Sequence, residues 1–158
     1  MLEEVYQRNI ELDEIFFNNY GNDNLTFKKN CVELLVELGE FINETKCFKY
    51  WSTKEPNKDL VLEELADVIT MLMYFANLNK MSVAKYKVTE NNEDLFALIN
   101  NTYLASTKLM EDMNEDNIDK IFILIYKIAY ILDIKDREII DAIKKKHKII
   151  YERLNSDY

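Results

Sequence analysis

Two short pairs of acidic residues stand in segments that are otherwise strongly apolar. Glu37 and Glu40 interrupt the first segment, and Glu64 and Asp67 interrupt the second. The members of each pair are three residues apart, so on a helix they share one face. A carboxylate loses several kcal/mol when it leaves water uncompensated. The four acids therefore need either bound cations or a polar seam.

Oxygen ligands of this kind select particular metals. Hard carboxylate oxygens without imidazoles favour Mg²⁺, Mn²⁺ or Ca²⁺ over Zn²⁺. A di-iron bundle would require Glu-x-x-His pairs, but the only histidine, His147, has Lys144 three residues before it. We therefore predict an Mg²⁺ site, at which Mn²⁺ can substitute. The alternative is that the acids line a solvated seam of a non-catalytic helical interaction module.

The elements that must position these acids are helices. Glycine occurs only twice and proline once in 158 residues, so helix breakers are nearly absent, which favours an all-α fold with short connections. We expect one domain over residues 1–158, a compact bundle of five to six helices. Hydrophobic periodicity predicts helices at Leu2–Asn19, Thr26–Phe48, Leu60–Asn79, Asn92–Met110 and Ile118–Leu132, and a last one from about Asp136 to Leu154.

Local features refine this picture. Thr26 is expected to be the N-cap of the second helix, and the short loop that follows this helix makes the two acid-bearing helices antiparallel neighbours. Gly39, in the middle of a helix, predicts a close neighbour, either another helix or a ligand. Trp51 is expected to pack in the core or at a dimer interface.

Charge and composition exclude several classes of protein. The formal net charge is −9, which suits divalent cations and disfavours a nucleic-acid partner. The most apolar runs are too short and too interrupted for a membrane span. The two cysteines, Cys31 and Cys47, are too far apart on one helix to bond, so we expect free thiols in a reducing compartment. With no secretory leader at the start of the chain, a cytoplasmic location is expected.

At these residues the sequence resembles the all-α nucleoside triphosphate pyrophosphatase superfamily, which includes MazG-like enzymes and dimeric dUTPases. The superfamily carries E-x-x-E followed by E-x-x-D, and the matching residues are Glu37, Glu40, Glu64 and Asp67. "VELGEFINETKCFKYWS" at 36–52 and "VLEELADV" at 61–68 are similar to the metal helices of dimeric dUTPases. The resemblance covers residues 9–77 well and the C-terminal third weakly.

The resemblance implies an activity and an assembly. The expected reaction is Mg²⁺-dependent hydrolysis of a deoxynucleoside triphosphate, with dUTP favoured, to the monophosphate and pyrophosphate. Two or more ions would be bound by the four acids, and Glu37 would orient or deprotonate the attacking water. Such an enzyme sanitises the nucleotide pool and forms a homodimer. The alternative within the superfamily is a MazG-like pyrophosphatase of other or broader nucleotide specificity.

The resemblance also implies substrate-binding residues. Asn9 stands where the family has a base-reading Gln, and Thr70 and Met71 replace a His-Phe pair that contacts the base. Ile150, Leu154 and the ending Asp157-Tyr158 are further departures, at positions where the family has Asn, Gln and Gly-Tyr. The residues expected to bind substrate, or in the case of Asn43 to support the metals, are Asn9, Asn43, Lys49, Thr70, Asn77, Lys146 and Arg153.

Overall fold

The computed structural model describes residues 1–156, in which every regular element is an α-helix. The predicted all-α fold class is thereby confirmed, and the number of helices is six. The helices are α1 (Glu3–Tyr20), α2 (Thr26–Thr45), α3 (Lys58–Leu78), α4 (Leu95–Lys108), α5 (Glu115–Ile131) and α6 (Asp136–Asn155). The predicted departure at Asp157-Tyr158 lies outside the described residues.

Short polar side chains set where three of the helices begin. The Asn57 side chain accepts hydrogen bonds from the backbone N–H groups of Asp59 and Leu60 at the start of α3. Asp94 and Asn114 cap α4 and α5 in the same way. These bonds satisfy backbone donors that have no partner within the helix. They also place the starts of α4 and α5 about three residues from the predicted positions.

Helix α2 begins at Thr26 as predicted, but the structure corrects its N-cap and its last residue. Thr26 is not the N-cap, because Leu25 occupies that position and makes no side-chain cap bond. Asp23 organises the preceding turn, and its carboxylate accepts from the Leu25 N–H at 2.8 Å. At the other end, Lys46 adopts a left-handed conformation with φ of 54°. The helix therefore stops at Thr45 instead of Phe48.

Helix α3 lies at the centre and packs against α1, α2, α5 and α6, while α4 covers α2 and α5. Most of its circumference is buried, with Val68, Ile69 and Leu72 fully inaccessible to solvent. Phe27, near the start of α2, contacts Phe75, near the end of α3, with ring centroids 6.1 Å apart. Further along, Glu37 and Glu40, in the second half of α2, lie close to Glu64, in the first half of α3. Helices α2 and α3 are therefore antiparallel, as predicted.

Gly39 of α2 faces α4. A Cβ atom at this position would lie 3.5 Å from the Tyr103 hydroxyl oxygen of α4, an ordinary van der Waals distance. The predicted neighbour is therefore a second helix, and alanine would also fit at this position.

The segment between α2 and α3 lies on the surface. Trp51 is 65% exposed and contacts the rings of Phe48 and Tyr50, so the prediction that it could pack in the core is wrong. Both Cys31 and Cys47 are free thiols.

Within residues 1–156, none of the helices combines the length and apolarity needed to cross a membrane.

Candidate functional site

A cavity of about 580 Å³ opens between α1, α2, α3 and α6. One end is acidic and the other is largely apolar. Acids and Lys146 line the first end: Glu33, Glu37, Glu40, Glu63, Glu64 and Asp67. The other end is lined mainly by Phe16, Phe17, Tyr20, Met71, Tyr74, Ile150 and Leu154. Such a division suits a molecule with a charged part and a flat apolar part.

Three predicted metal ligands converge at the acidic end. One carboxylate oxygen each from Glu37, Glu40 and Glu64 lies within 4.8 Å of the others. The second Glu37 oxygen, Oε2, is buried and has no hydrogen-bond partner among residues 1–156. Convergent carboxylate oxygens, one of them without a partner, form a donor set that fits a hard divalent cation.

The crowding of carboxyl groups at this end of the cavity makes them harder to ionise. Burial raises the pKa of Glu37 to about 7, and the nearby carboxylate of Asp67 contributes further in the same direction. Burial and Asp67 likewise raise the pKa of Glu64. A carboxyl group that is desolvated and surrounded by like charges resists ionisation, and a bound cation would remove that resistance.

Asp67 has a different partner from the other three acids. Its Oδ2 lies 2.7 Å from the Lys146 ammonium of α6. Burial raises the pKa of Asp67, whereas the hydrogen bond and charge of Lys146 oppose that rise. The Lys146 side chain is only 13% exposed and also lies 4.0 Å from Glu63 Oε1. Lys146 therefore supplies a positive charge within the acid cluster.

Asn9 and Thr70, two predicted substrate-binding residues, form part of one network in the cavity wall. The buried Asn9 side chain donates to Asp13 Oδ2 at 3.2 Å and to the Thr70 backbone oxygen at 3.3 Å. His147 Nε2 lies 2.9 Å from Asn9 Oδ1. The Thr70 hydroxyl donates to the Asp67 backbone oxygen at 2.9 Å, so its proton is already in use.

The remaining predicted substrate residues divide into two groups. Arg153, on α6, lines the cavity and is exposed to solvent. The other three, Asn43, Lys49 and Asn77, are not among the described residues that line it. Lys49 contacts the Phe48 ring beyond the end of α2, and Asn77 is ten residues beyond Asp67, which is about 15 Å along a helix.

The cavity also contains polar residues outside the predicted set. They are Asp13, Asn30, Glu33, Glu63 and His147. Asp13 is four residues after Asn9, so the i, i+4 spacing on α1 could have identified it. His147 gave no such signal, because only the packing of α6 against α1 brings it to Asn9.

The comparison with protein families agrees with this geometry. A family model described as dUTPase matches residues 1–158 of the chain. The comparison with curated proteins found no match. The match over the whole chain, together with the all-helical structure, shows that the chain belongs to the all-α, MazG-like dUTPase family of nucleotide pyrophosphohydrolases.

Proposed function

We propose that this protein hydrolyses dUTP to dUMP and pyrophosphate in an Mg²⁺-dependent reaction that sanitises the nucleotide pool. The observation that carries the proposal is the convergence of Glu37, Glu40 and Glu64 at one end of a cavity whose other end is apolar. The acidic end suits cations and a triphosphate. The apolar end suits a nucleobase, which is flat and buries its faces against hydrophobic side chains.

The metal ligands in this proposal are Glu37, Glu40, Glu64 and Asp67, binding two or more Mg²⁺ ions, for which Mn²⁺ can substitute. When bound, the ions neutralise charge on the triphosphate and make water a stronger nucleophile. Asp67 forms an ion pair with Lys146 at 2.7 Å, and it would have to exchange this partner to serve as a metal ligand. The Lys146 ammonium, like the Arg153 guanidinium, would then be free to bind phosphate oxygens.

Glu37 is proposed to orient or deprotonate the attacking water. Its Oε2 is buried and has no hydrogen-bond partner among residues 1–156, so this oxygen is free to accept a hydrogen bond from a water molecule. Its position within the acid cluster keeps it beside the triphosphate end of the cavity.

The proposed assembly is a homodimer. The exposed rings of Phe48, Tyr50 and Trp51 lie together on one surface segment, and aromatic side chains are enriched at protein interfaces. We propose that Lys49 binds substrate near this surface and that Asn43 supports the metals there. Asn77, near the C-terminal end of α3, is also proposed to bind substrate. The cytoplasmic location and the absence of a nucleic-acid partner stay predictions, and the net charge of −9 supports the second.

The test measures pyrophosphate release from a panel of dNTPs and NTPs, with Mg²⁺ and with EDTA. The variants are Glu64→Gln and, as a control, Glu90→Gln, which alters an exposed carboxylate between α3 and α4. We expect Mg²⁺-dependent release from dUTP by wild type and Glu90→Gln, and none by Glu64→Gln. No release from any substrate by wild type would refute the proposal.

A second candidate is a pyrophosphatase of other or broader nucleotide specificity. It is favoured by the Asn9 amide, whose donors are both engaged within the protein. Release from several substrates would support it. A non-catalytic helical module instead predicts no Mg²⁺-dependent increase in Tm, because only a ligand that binds the folded state selectively stabilises that state.

A further inference from the structure

Lys146 reaches from α6 into the acid cluster and brings a positive charge to it. Its ammonium lies 2.7 Å from Asp67 Oδ2 and 4.0 Å from Glu63 Oε1. Within residues 1–156, no other basic group forms a salt bridge with Asp67 or with the three glutamates that converge beside it. One internal positive charge therefore faces several carboxylates.

The Lys146–Asp67 pair is the most buried salt bridge in the described part of the chain. The two side chains are 13% and 21% exposed, whereas every other pair has at least one side chain that is 46% exposed or more. Water and salt screen a buried pair much less than an exposed one. Separating these two charges without replacing either partner is therefore costly.

The surroundings give the Lys146 ammonium room to leave Asp67. Lys146 lines the main cavity and also a second cavity of about 270 Å³ between α3 and α6. Glu63 lines both cavities as well. Because a lysine side chain has a flexible four-carbon stem, its ammonium can change partners while α6 stays in place.

A divalent cation and the Lys146 ammonium compete for the same carboxylate. A cation that binds Asp67 must separate the ion pair, and the cost of that separation weakens cation binding. A triphosphate that draws Lys146 to its own oxygens must separate the same pair. When both ligands bind, the pair is broken only once, so each ligand strengthens the binding of the other.

We infer that Lys146 is an internal counter-ion that competes with the divalent cation for Asp67 and thereby makes the cation and the triphosphate bind cooperatively. This inference rests on the proposed function, which supplies the triphosphate. It follows that the protein holds the cation weakly until a nucleotide binds. The acid cluster is then loaded with the cation and the substrate together.

The first measurement is Mn²⁺ binding without nucleotide, followed by loss of the electron paramagnetic resonance signal of the free ion. The proteins are wild type, Lys146→Met and Lys146→Gln, which remove the charge, and Lys146→Arg, which keeps it. Lys145→Met is the matched control, because it removes the charge of the adjacent lysine, which is exposed. Far-UV circular dichroism checks that each variant is folded.

Lys146→Met and Lys146→Gln should each bind Mn²⁺ more tightly than wild type, by roughly 5- to 150-fold, the usual range for coupling between two sites. Lys146→Arg and Lys145→Met should stay close to wild type. Removal of a lysine that is merely structural would leave the Mn²⁺ affinity unchanged or weaken it, and either result would overturn the inference. An equal gain in Lys145→Met would assign the effect to net charge and would also overturn it.

The second measurement is the coupling itself. Isothermal titration calorimetry gives the Kd of α,β-imido-dUTP in EDTA and with Mn²⁺, and the ratio of the two Kd values reports how strongly the cation favours nucleotide binding. Chelation of Mn²⁺ by the nucleotide in solution is the same for every protein and cancels in the comparison. In both charge-removing variants the ratio should fall by a factor similar to their gain in Mn²⁺ affinity. A ratio equal to that of wild type would contradict the inference.

This inference and the proposed function fail separately. If wild type releases pyrophosphate from dUTP but Lys146→Met and Lys146→Gln gain no Mn²⁺ affinity, only the inference fails. If both variants show the expected changes but wild type releases no pyrophosphate, only the catalytic proposal fails. If none of the proteins binds Mn²⁺, with or without nucleotide, both are overturned.

Discussion

Removing the charge of Glu37 should make the metal-free protein more stable, although it should abolish the proposed activity. In the folded protein, burial and neighbouring carboxylates raise the pKa of Glu37 from 4.5 to about 7. The ionised form of Glu37 is thus disfavoured in the folded state relative to the unfolded chain. Glu37→Gln keeps the shape of the side chain and eliminates this penalty.

The size of the effect follows from the pKa difference. Each pKa unit corresponds to about 1.4 kcal/mol, so the change from 4.5 to about 7 sets an upper limit of about 3.5 kcal/mol. Glu37 is partly exposed, and solvent screens its interactions with the other acids. We therefore expect Glu37→Gln to raise the free energy of unfolding by about 1–2 kcal/mol above pH 7.

The dependence on pH gives the prediction its sign. The folded state binds a proton at Glu37 more tightly than the unfolded chain, so wild-type stability falls as pH rises between about 4.5 and 7. The advantage of Glu37→Gln should be complete above about pH 7 and should vanish below about pH 4.5. Wild type should therefore become more stable as the pH falls from about 7 to about 4.5.

The assay is urea unfolding followed by far-UV circular dichroism, in EDTA, at pH 8 and at pH 4.5. Glu14→Gln on α1 is the control, and we expect a change within about 0.5 kcal/mol for this exposed position. With saturating Mg²⁺ the order should reverse, because only wild type has the complete ligand set. A Glu37→Gln protein that is less stable than wild type at pH 8 in EDTA would refute the reasoning. So would a gain that is equal at both pH values.

Three further substitutions test the packing, the internal ion pair and a helix cap, each by urea unfolding. Lys146→Met should lower the metal-free stability by about 1–3 kcal/mol, because it leaves the half-buried Asp67 without its cation at 2.7 Å; unchanged stability in EDTA would contradict this role. Leu72→Ala should cost about 2–5 kcal/mol by opening a cavity in the fully buried face of α3, and a loss under 1 kcal/mol would indicate that the core can collapse. Asn57→Ala should cost about 1 kcal/mol, since it removes the acceptor for two N–H groups of α3, whereas Asn57→Ser should retain most of the stability.

Much of the fold could be predicted because it depends on local rules. A chain with two glycines and one proline and with helical hydrophobic periodicity has few alternatives to helices. Helix ends were less predictable. Asp23 forms a turn before the start of α2, and Lys46 ends this helix by adopting a left-handed conformation. Several polar residues near these ends could have capped the helix equally well.

The sequence by itself determined the helical class and the pairing of acids. The three-residue spacing of Glu37 with Glu40 on one apolar helix, and of Glu64 with Asp67 on the next, follows from the period of the helix alone. Because the connection between these helices is short, their antiparallel contact followed as well. Those features sufficed to predict a cation site and a resemblance to nucleotide pyrophosphatases.

Only the tertiary structure decided which partners the polar groups acquire. Lys146 pairs with Asp67 across 79 positions of sequence, and His147 bonds to Asn9 across 138. Such contacts depend on how α6 rotates and docks against α1 and α3, which no local spacing encodes. Asn9 therefore has the residue type of a substrate contact, yet its hydrogen bonds are satisfied within the bundle. The neighbouring Asp13 accepts one of these bonds through its Oδ2 atom.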